Sequence, residues 1–307
     1  MATHLLLTAW TFDPLIIIGL IALLGAYLYA IGPLRRRLAA QASEETGGEP
    51  VEGLSNLPMR KVAYFLGGWV LLALTLLSPL DAIGREYLFS AHTFQLFMII
   101  TVIAPLLMLG LPDWLTAWLI PSAEARQATE GLMFQVVAVV AFNGIILLWH
   151  VTPLYEAALQ NMTLHALQML SFLVAGALTW WPLLTPTRKH IRMAHPSQII
   201  YLVLESLPLD IFGAALLFTP TVLYPTYLHA PHIFGLTALV DQQIAGGILA
   251  APGNMIDLAL MSIVFFGWIR QMEREQIIRE REQYAQEDAL ATGSEALTQE
   301  QAEQSHA

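Results

Sequence analysis

Residues 78–100 read SPLDAIGREYLFSAHTFQLFMII. A short polar segment holding Asp81, Arg85 and Glu86 separates the end of one apolar run from the start of another. Just inside the second run stands His92, with Gln95 one helical turn further on. An ionisable side chain at membrane depth is costly, so it marks a candidate functional site. The fold turns on whether this segment is a turn between two membrane helices, and the residues on either side of it answer that.

Seven apolar runs are each long enough to span a bilayer, which takes about 20 residues. They lie near Pro14–Gly32, Val62–Pro79, Leu88–Gly110, Gly131–His150, Thr163–Leu184, Gln198–Phe218 and Ile244–Trp268. Of the 307 residues, 56% are hydrophobic and 12% charged, about half the charge that a soluble domain carries. The expected fold class is therefore all-α, a polytopic membrane protein with seven transmembrane helices. No Lys or Arg precedes the first run and several follow it, so it is expected to be a retained span rather than a cleaved signal. Residues 1–270 are expected to form the seven-helix domain and 271–307 an extension, helical over 271–290 and disordered beyond. Residues 39–57 read as a flexible loop, and PDWLTAWLI (residues 112–120) as an interfacial helix.

Cations near the ends of spans set orientation. With the N-terminus outside and the C-terminus inside, Arg85 is the lone cation on the outer face and the other 13 of the 14 fall inside. This arrangement puts His92, His150, His165 and Asp241 at the outer ends of their spans. Cysteine is absent, which removes disulfides and thiolate metal sites. The cations form no groove-like patch, so nucleic acid is not an expected partner; membrane lipid is. The only lysines, Lys61 and Lys189, lie at span ends, which excludes a retinal Schiff base.

The spacing His92-x-x-Gln95 recurs as His165-x-x-Gln168, and residues three apart share one helix face. Imidazoles from three helices with a carboxylate at one depth suit a metal, and thioether sulfur favours Cu(I). The candidate ligands are His92, His150, His165, Asp241 and Met169. Read singly, each histidine is an ordinary interfacial side chain; His229 and His232, in a loop, are expected to be just that. A second polar set, Glu205, Asp210 and Asp257, falls near mid-membrane and offers an alternative function, a proton or metal-ion transporter. No nucleophile motif or phosphate loop points to an enzyme.

The stretches SPLDAIGREYLFSAH, APLLMLGLP, FNGIILLWHVTPLYEAAL, HALQMLSFLVAGALTWWPLL, LYPTY and DQQIAGGILAAPG resemble, in order and spacing, the CtaG-type cytochrome c oxidase assembly factors. The resemblance implies a multi-pass protein of the bacterial cytoplasmic membrane that is not an enzyme. It would act with an oxidase subunit and handle copper at the outer face. In that family, spans three and five commonly carry a second histidine four residues after the first. Here those positions hold Leu96 and Met169, of which only Met169 offers a soft donor.

Overall fold

The computed structural model describes residues 8–45, 54, 57–120, 122, 132–184 and 194–305, with backbone alone for Glu45 and for 288–305. Among these residues every regular element is helical, and seven helical stretches are long and apolar enough to cross a membrane. The chain is an all-α membrane protein. We label its helices α1 (Pro14–Tyr29), α2 (Arg35–Glu45), α3 (Met59–Leu77), α4 (Pro79–Glu86), α5 (Phe89–Phe97), α6 (Ala104–Leu109) and α7 (Asp113–Leu119). They continue with α8 (Leu132–Trp149), α9 (Thr152–Gln160), α10 (Met162–Leu184), α11 (His195–Phe218), α12 (Pro225–His229) and α13 (Ala238–Ser305).

The first span runs on through a π-helical turn, Ala30–Leu34, into α2. The residues RRRLAAQASEE are mostly good helix formers, so the helix covers 39–45, where the sequence suggests a loop. Residues 46–53, 55 and 56 of that expected loop lie outside the described residues. The third span is α5 and α6 joined by a second π-helical turn, Met98–Ile103. Pro105 has no N–H to give to the preceding turn, and the ladder re-registers there. The carbonyl of Ile100 is taken up by Trp180 Nε1 at 2.7 Å, as a helix break within a membrane protein requires. α7 forms where an interfacial helix was expected.

α13 departs most from expectation. It begins six residues before the apolar run and its backbone stays helical to Ser305, through residues 291–305 that read as disordered. That segment is rich in Ala, Glu and Gln, which favour helix intrinsically.

The third span is the most deeply buried of the seven. α3 and α10 pack on its second half, while α13 packs on α5. α11 lies along α13, and α8 joins α10 to α11. The α11–α13 pair approaches closely at two glycines. A Cβ on Gly246 would lie 2.5 Å from the Gly213 carbonyl oxygen, and small residues permit such backbone contact in membranes. Around this interior, large apolar side chains such as Ile18, Val140, Ile211 and Phe266 face outward, as lipid-facing surface should.

Three short helices, α4, α9 and α12, cover the end of the bundle where α5, α10 and α13 begin. Ser78 accepts from Leu80 N at the start of α4, and Pro79 fills the first helical position, where its missing N–H costs nothing. The polar segment of residues 78–100 is thus a helix in its own right. Its inner face carries Asp81 and Gly84 into the bundle, both buried.

Candidate functional site

Beneath the three short helices the structure gathers His92 from α5, His150 from the end of α8 and His165 from α10. All are buried, His92 and His165 at 0% exposure. The ring centroids of His92 and His150 are 6.3 Å apart, and those of His92 and His165 6.4 Å. His92 stands between the other two.

Two of the rings are oriented from behind. His150 Nδ1 lies 2.7 Å from the Ile146 carbonyl oxygen. A carbonyl only accepts, so in the neutral ring Nδ1 carries the proton and Nε2 keeps its lone pair. His165 Nε2 lies 2.8 Å from Asp81 Oδ1, so by the same argument its bare nitrogen is Nδ1. Both bare nitrogens, and both nitrogens of His92, are buried without a hydrogen-bond partner. A carbonyl or carboxylate behind one ring nitrogen and a lone pair at the other is the arrangement that metal-ligating histidines adopt.

Asp81 also accepts from Gln95 Nε2 at 3.2 Å, and Gln95 Nε2 reaches the Thr75 carbonyl at 2.9 Å. Gln95 fits only because residue 84 is glycine: a Cβ there would stand 2.8 Å from Gln95 Oε1 and 3.0 Å from His92 N. Gln168, one turn along from His165, is fully buried with neither amide atom partnered. The apolar walls are Phe172 and Tyr155, whose rings lie 6.3 and 5.0 Å from His92.

Tyrosines seal the covered end. Tyr227 Oη donates to the Gly84 carbonyl at 2.5 Å, Tyr155 and Tyr227 hydroxyls meet at 2.7 Å, and Tyr224 Oη donates to the His150 carbonyl at 2.9 Å. Burial holds all three phenols well above their usual range, so they remain neutral hydroxyl donors at physiological pH.

The other expected ligands have different surroundings. Asp241 accepts from Phe89 N at 2.6 Å, from Ser90 N at 3.2 Å and from the Ser90 hydroxyl. It caps α5, the helix that carries His92, and the carboxylate bonded to a histidine is Asp81. Met169 is buried and lines an apolar groove with Leu20, Leu72 and Leu76. Leu96 is fully buried in the core. Among the described residues, no three His, Asp or Glu side chains are arranged to hold a metal ion. His229 and His232 are exposed.

The second polar set does come together. Glu205, Asp210 and Asp257 line one crevice with Thr101, Thr179 and Ser206, because α11 and α13 lie side by side. Asn143 Nδ2 donates to the Glu205 carbonyl at 3.1 Å from α8.

Fold and site define a seven-helix membrane protein with a histidine cluster buried at one end of the bundle. The family model for the cytochrome c oxidase caa3 assembly factor matches residues 25–271, and the chain belongs to that family. No curated protein and no solved structure matches it. The match covers all three histidines, Asp81 and the carboxylate crevice, and makes the protein a cytochrome c oxidase assembly factor.

Proposed function

We propose that the protein carries copper, as Cu(I), on its buried histidines and hands it to an oxidase subunit at the outer face of the bacterial cytoplasmic membrane. One observation carries this reading. Four imidazole nitrogens are buried without partners while the opposite nitrogens of His150 and His165 are held by a carbonyl and a carboxylate. A buried polar group left unpaired costs about 1–3 kcal/mol, so a ligand that pairs these atoms would be bound with that cost recovered.

The donor set fits copper, since imidazole suits it. A ligating imidazole nitrogen sits about 2.0 Å from a metal ion and about 1.1 Å from its own ring centre, so two rings on one ion stand about 6.2 Å apart when opposed. The distances from His92 to His150 and to His165 agree with that. Cu(I) accepts two opposed donors, so a pair suffices where no trio is arranged. His92 belongs to both pairs and serves as the pivot between them. The surrounding aromatic rings keep water from the cargo.

Copper is cargo here and no bond of a substrate is made or broken, so the protein works without enzymatic turnover. Orientation rests on the single cation, Arg85, at the histidine end. The test is copper content of the purified full-length protein loaded under reducing conditions. Near-stoichiometric copper, lost in His92→Ala and reduced in His165→Ala, is the expected result. No retained copper in the wild type overturns the copper reading and leaves the assembly role standing.

A second reading has its own observation, the convergence of Glu205, Asp210 and Asp257 on one crevice. A proton or metal-ion transporter would use them. Ion flux in proteoliposomes that is unchanged by Asp210→Asn together with Asp257→Asn removes it.

A further inference from the structure

At the end of the bundle opposite the histidines, the first span, α3 and α7 together line an apolar groove. Leu23, Tyr27, Phe65, Leu115 and Trp118 form its walls, and Tyr29 stands at its mouth. The groove opens sideways onto the lipid-facing surface, where Tyr29 and Trp118 are 48% and 47% exposed.

Directly after Leu34, which also lines the groove, come Arg35, Arg36 and Arg37. Arg37 Nη1 donates to the Tyr29 hydroxyl at 3.3 Å, which ties the basic run to the groove mouth. Arg35 has a long contact of 3.5 Å to the Leu54 carbonyl, and its Nε is buried without a partner. Among the described residues none of these three arginines is paired with a carboxylate. Among the described residues the ion pair at this end joins Lys61 to Asp113. A fourth guanidinium, Arg60, stacks on Tyr64 next to Phe65. The result is an apolar slot at membrane depth, with guanidinium groups at its mouth that no carboxylate among the described residues pairs.

We propose that this groove is a binding site for an anionic phospholipid, with one acyl chain in the slot and the headgroup phosphate at Arg35–Arg37. Guanidinium groups match phosphate geometry, and basic pockets beside membrane helices bind acidic headgroups. Charge complementarity selects an anionic lipid over a zwitterionic one, and the apolar walls select a lipid over a free phosphate ion.

The test uses the purified full-length protein in phosphatidylcholine vesicles doped with brominated phosphatidylglycerol or, separately, brominated phosphatidylcholine. The fluorescence of Trp118, taken as wild type minus Trp118→Phe, reports contact with the brominated chain. Half-quenching should occur at a mole fraction of phosphatidylglycerol at least fivefold lower than of phosphatidylcholine, and Arg35→Gln with Arg36→Gln and Arg37→Gln should abolish the difference. Because removing cations also disturbs membrane insertion, Ala26→Phe is the second variant. It keeps every charge, fills the groove wall from an exposed position, and should bring the two lipids to equal quenching. Equal quenching in the wild type, or a preference that persists in Ala26→Phe, overturns the proposal.

Discussion

Asp81 touches two side chains of the buried cluster at once, His165 at 2.8 Å and Gln95 at 3.2 Å. Its place is held by α4, whose close approach to α5 depends on Gly84. If His165 presents Nδ1 to copper, Asp81 decides that it does. Asp81→Asn leaves the volume but removes the charge; its amide oxygen accepts from Nε2–H more weakly and its NH2 can donate to a bare Nε2, so the Nε2–H tautomer is no longer enforced. Cu(I) affinity measured by chelator competition should fall about 10- to 100-fold, the usual cost of losing such an orienting partner. Unchanged affinity in Asp81→Asn beside a loss in His165→Ala would show that the carboxylate does not act through the ring. Gly84→Ala drives a methyl against Gln95 and the α5 backbone. It should destabilise the protein by about 1–3 kcal/mol, read as a lowered Tm in detergent. The histidines were legible in the sequence because ionisable residues inside apolar runs are rare. Asp81 was not, because it sits outside every apolar run, where an acid calls for no explanation. Asp241 was legible as a polar residue at that end of the bundle; its capping of α5 was not, since the backbone N–H groups it binds are exposed by no spacing rule.

At the scale of elements, α5 begins at Phe89, and its N-cap residue, Leu88, supplies no side-chain cap. The cap comes from Asp241 on α13, 152 positions away in sequence. The start of the helix carrying His92 is therefore fixed by the seventh span, and α5 and α13 are locked at that end. Asp241→Ala leaves two buried N–H groups and the Ser90 hydroxyl without their acceptor. Losing a cap costs about 0.5–2 kcal/mol, and burial puts the expected loss toward the upper part of that range. Asp241→Asn keeps one accepting oxygen and should recover much of it. Thermal unfolding of the three proteins in one detergent measures the difference. Copper content of Asp241→Asn should stay near wild type; a loss there equal to that of His92→Ala would return Asp241 to the ligand set. The seven long helices were readable from apolar length. The short ones, α4, α9 and α12, were not, because helices of 5–9 residues fall below any spanning length. The two π-helical turns also left no signal beyond nearby prolines.

For the whole molecule, the decisive asymmetry is in the cations. Counting along the chain puts Arg85 alone at the end where the histidines gather, and every other Lys and Arg at the opposite end or in the loops and extension that follow it. Short cationic loops stay on the cytoplasmic side, so the histidine cluster should face outward and α13 should project into the cytoplasm. The chain has no cysteine, which makes a direct test available. His232→Cys sits in the exposed loop between α12 and α13, and Glu282→Cys on the exposed far part of α13. A membrane-impermeant maleimide applied to intact spheroplasts should label the first and not the second, and permeabilised membranes should label both. The reverse pattern would put the histidines on the cytoplasmic side. Copper drawn from outside could not then be delivered from them, although the fold, the family and the arrangement of the rings would stand. Topology therefore bears on the direction of transfer, and copper content on whether there is a cargo, so the two experiments fail independently.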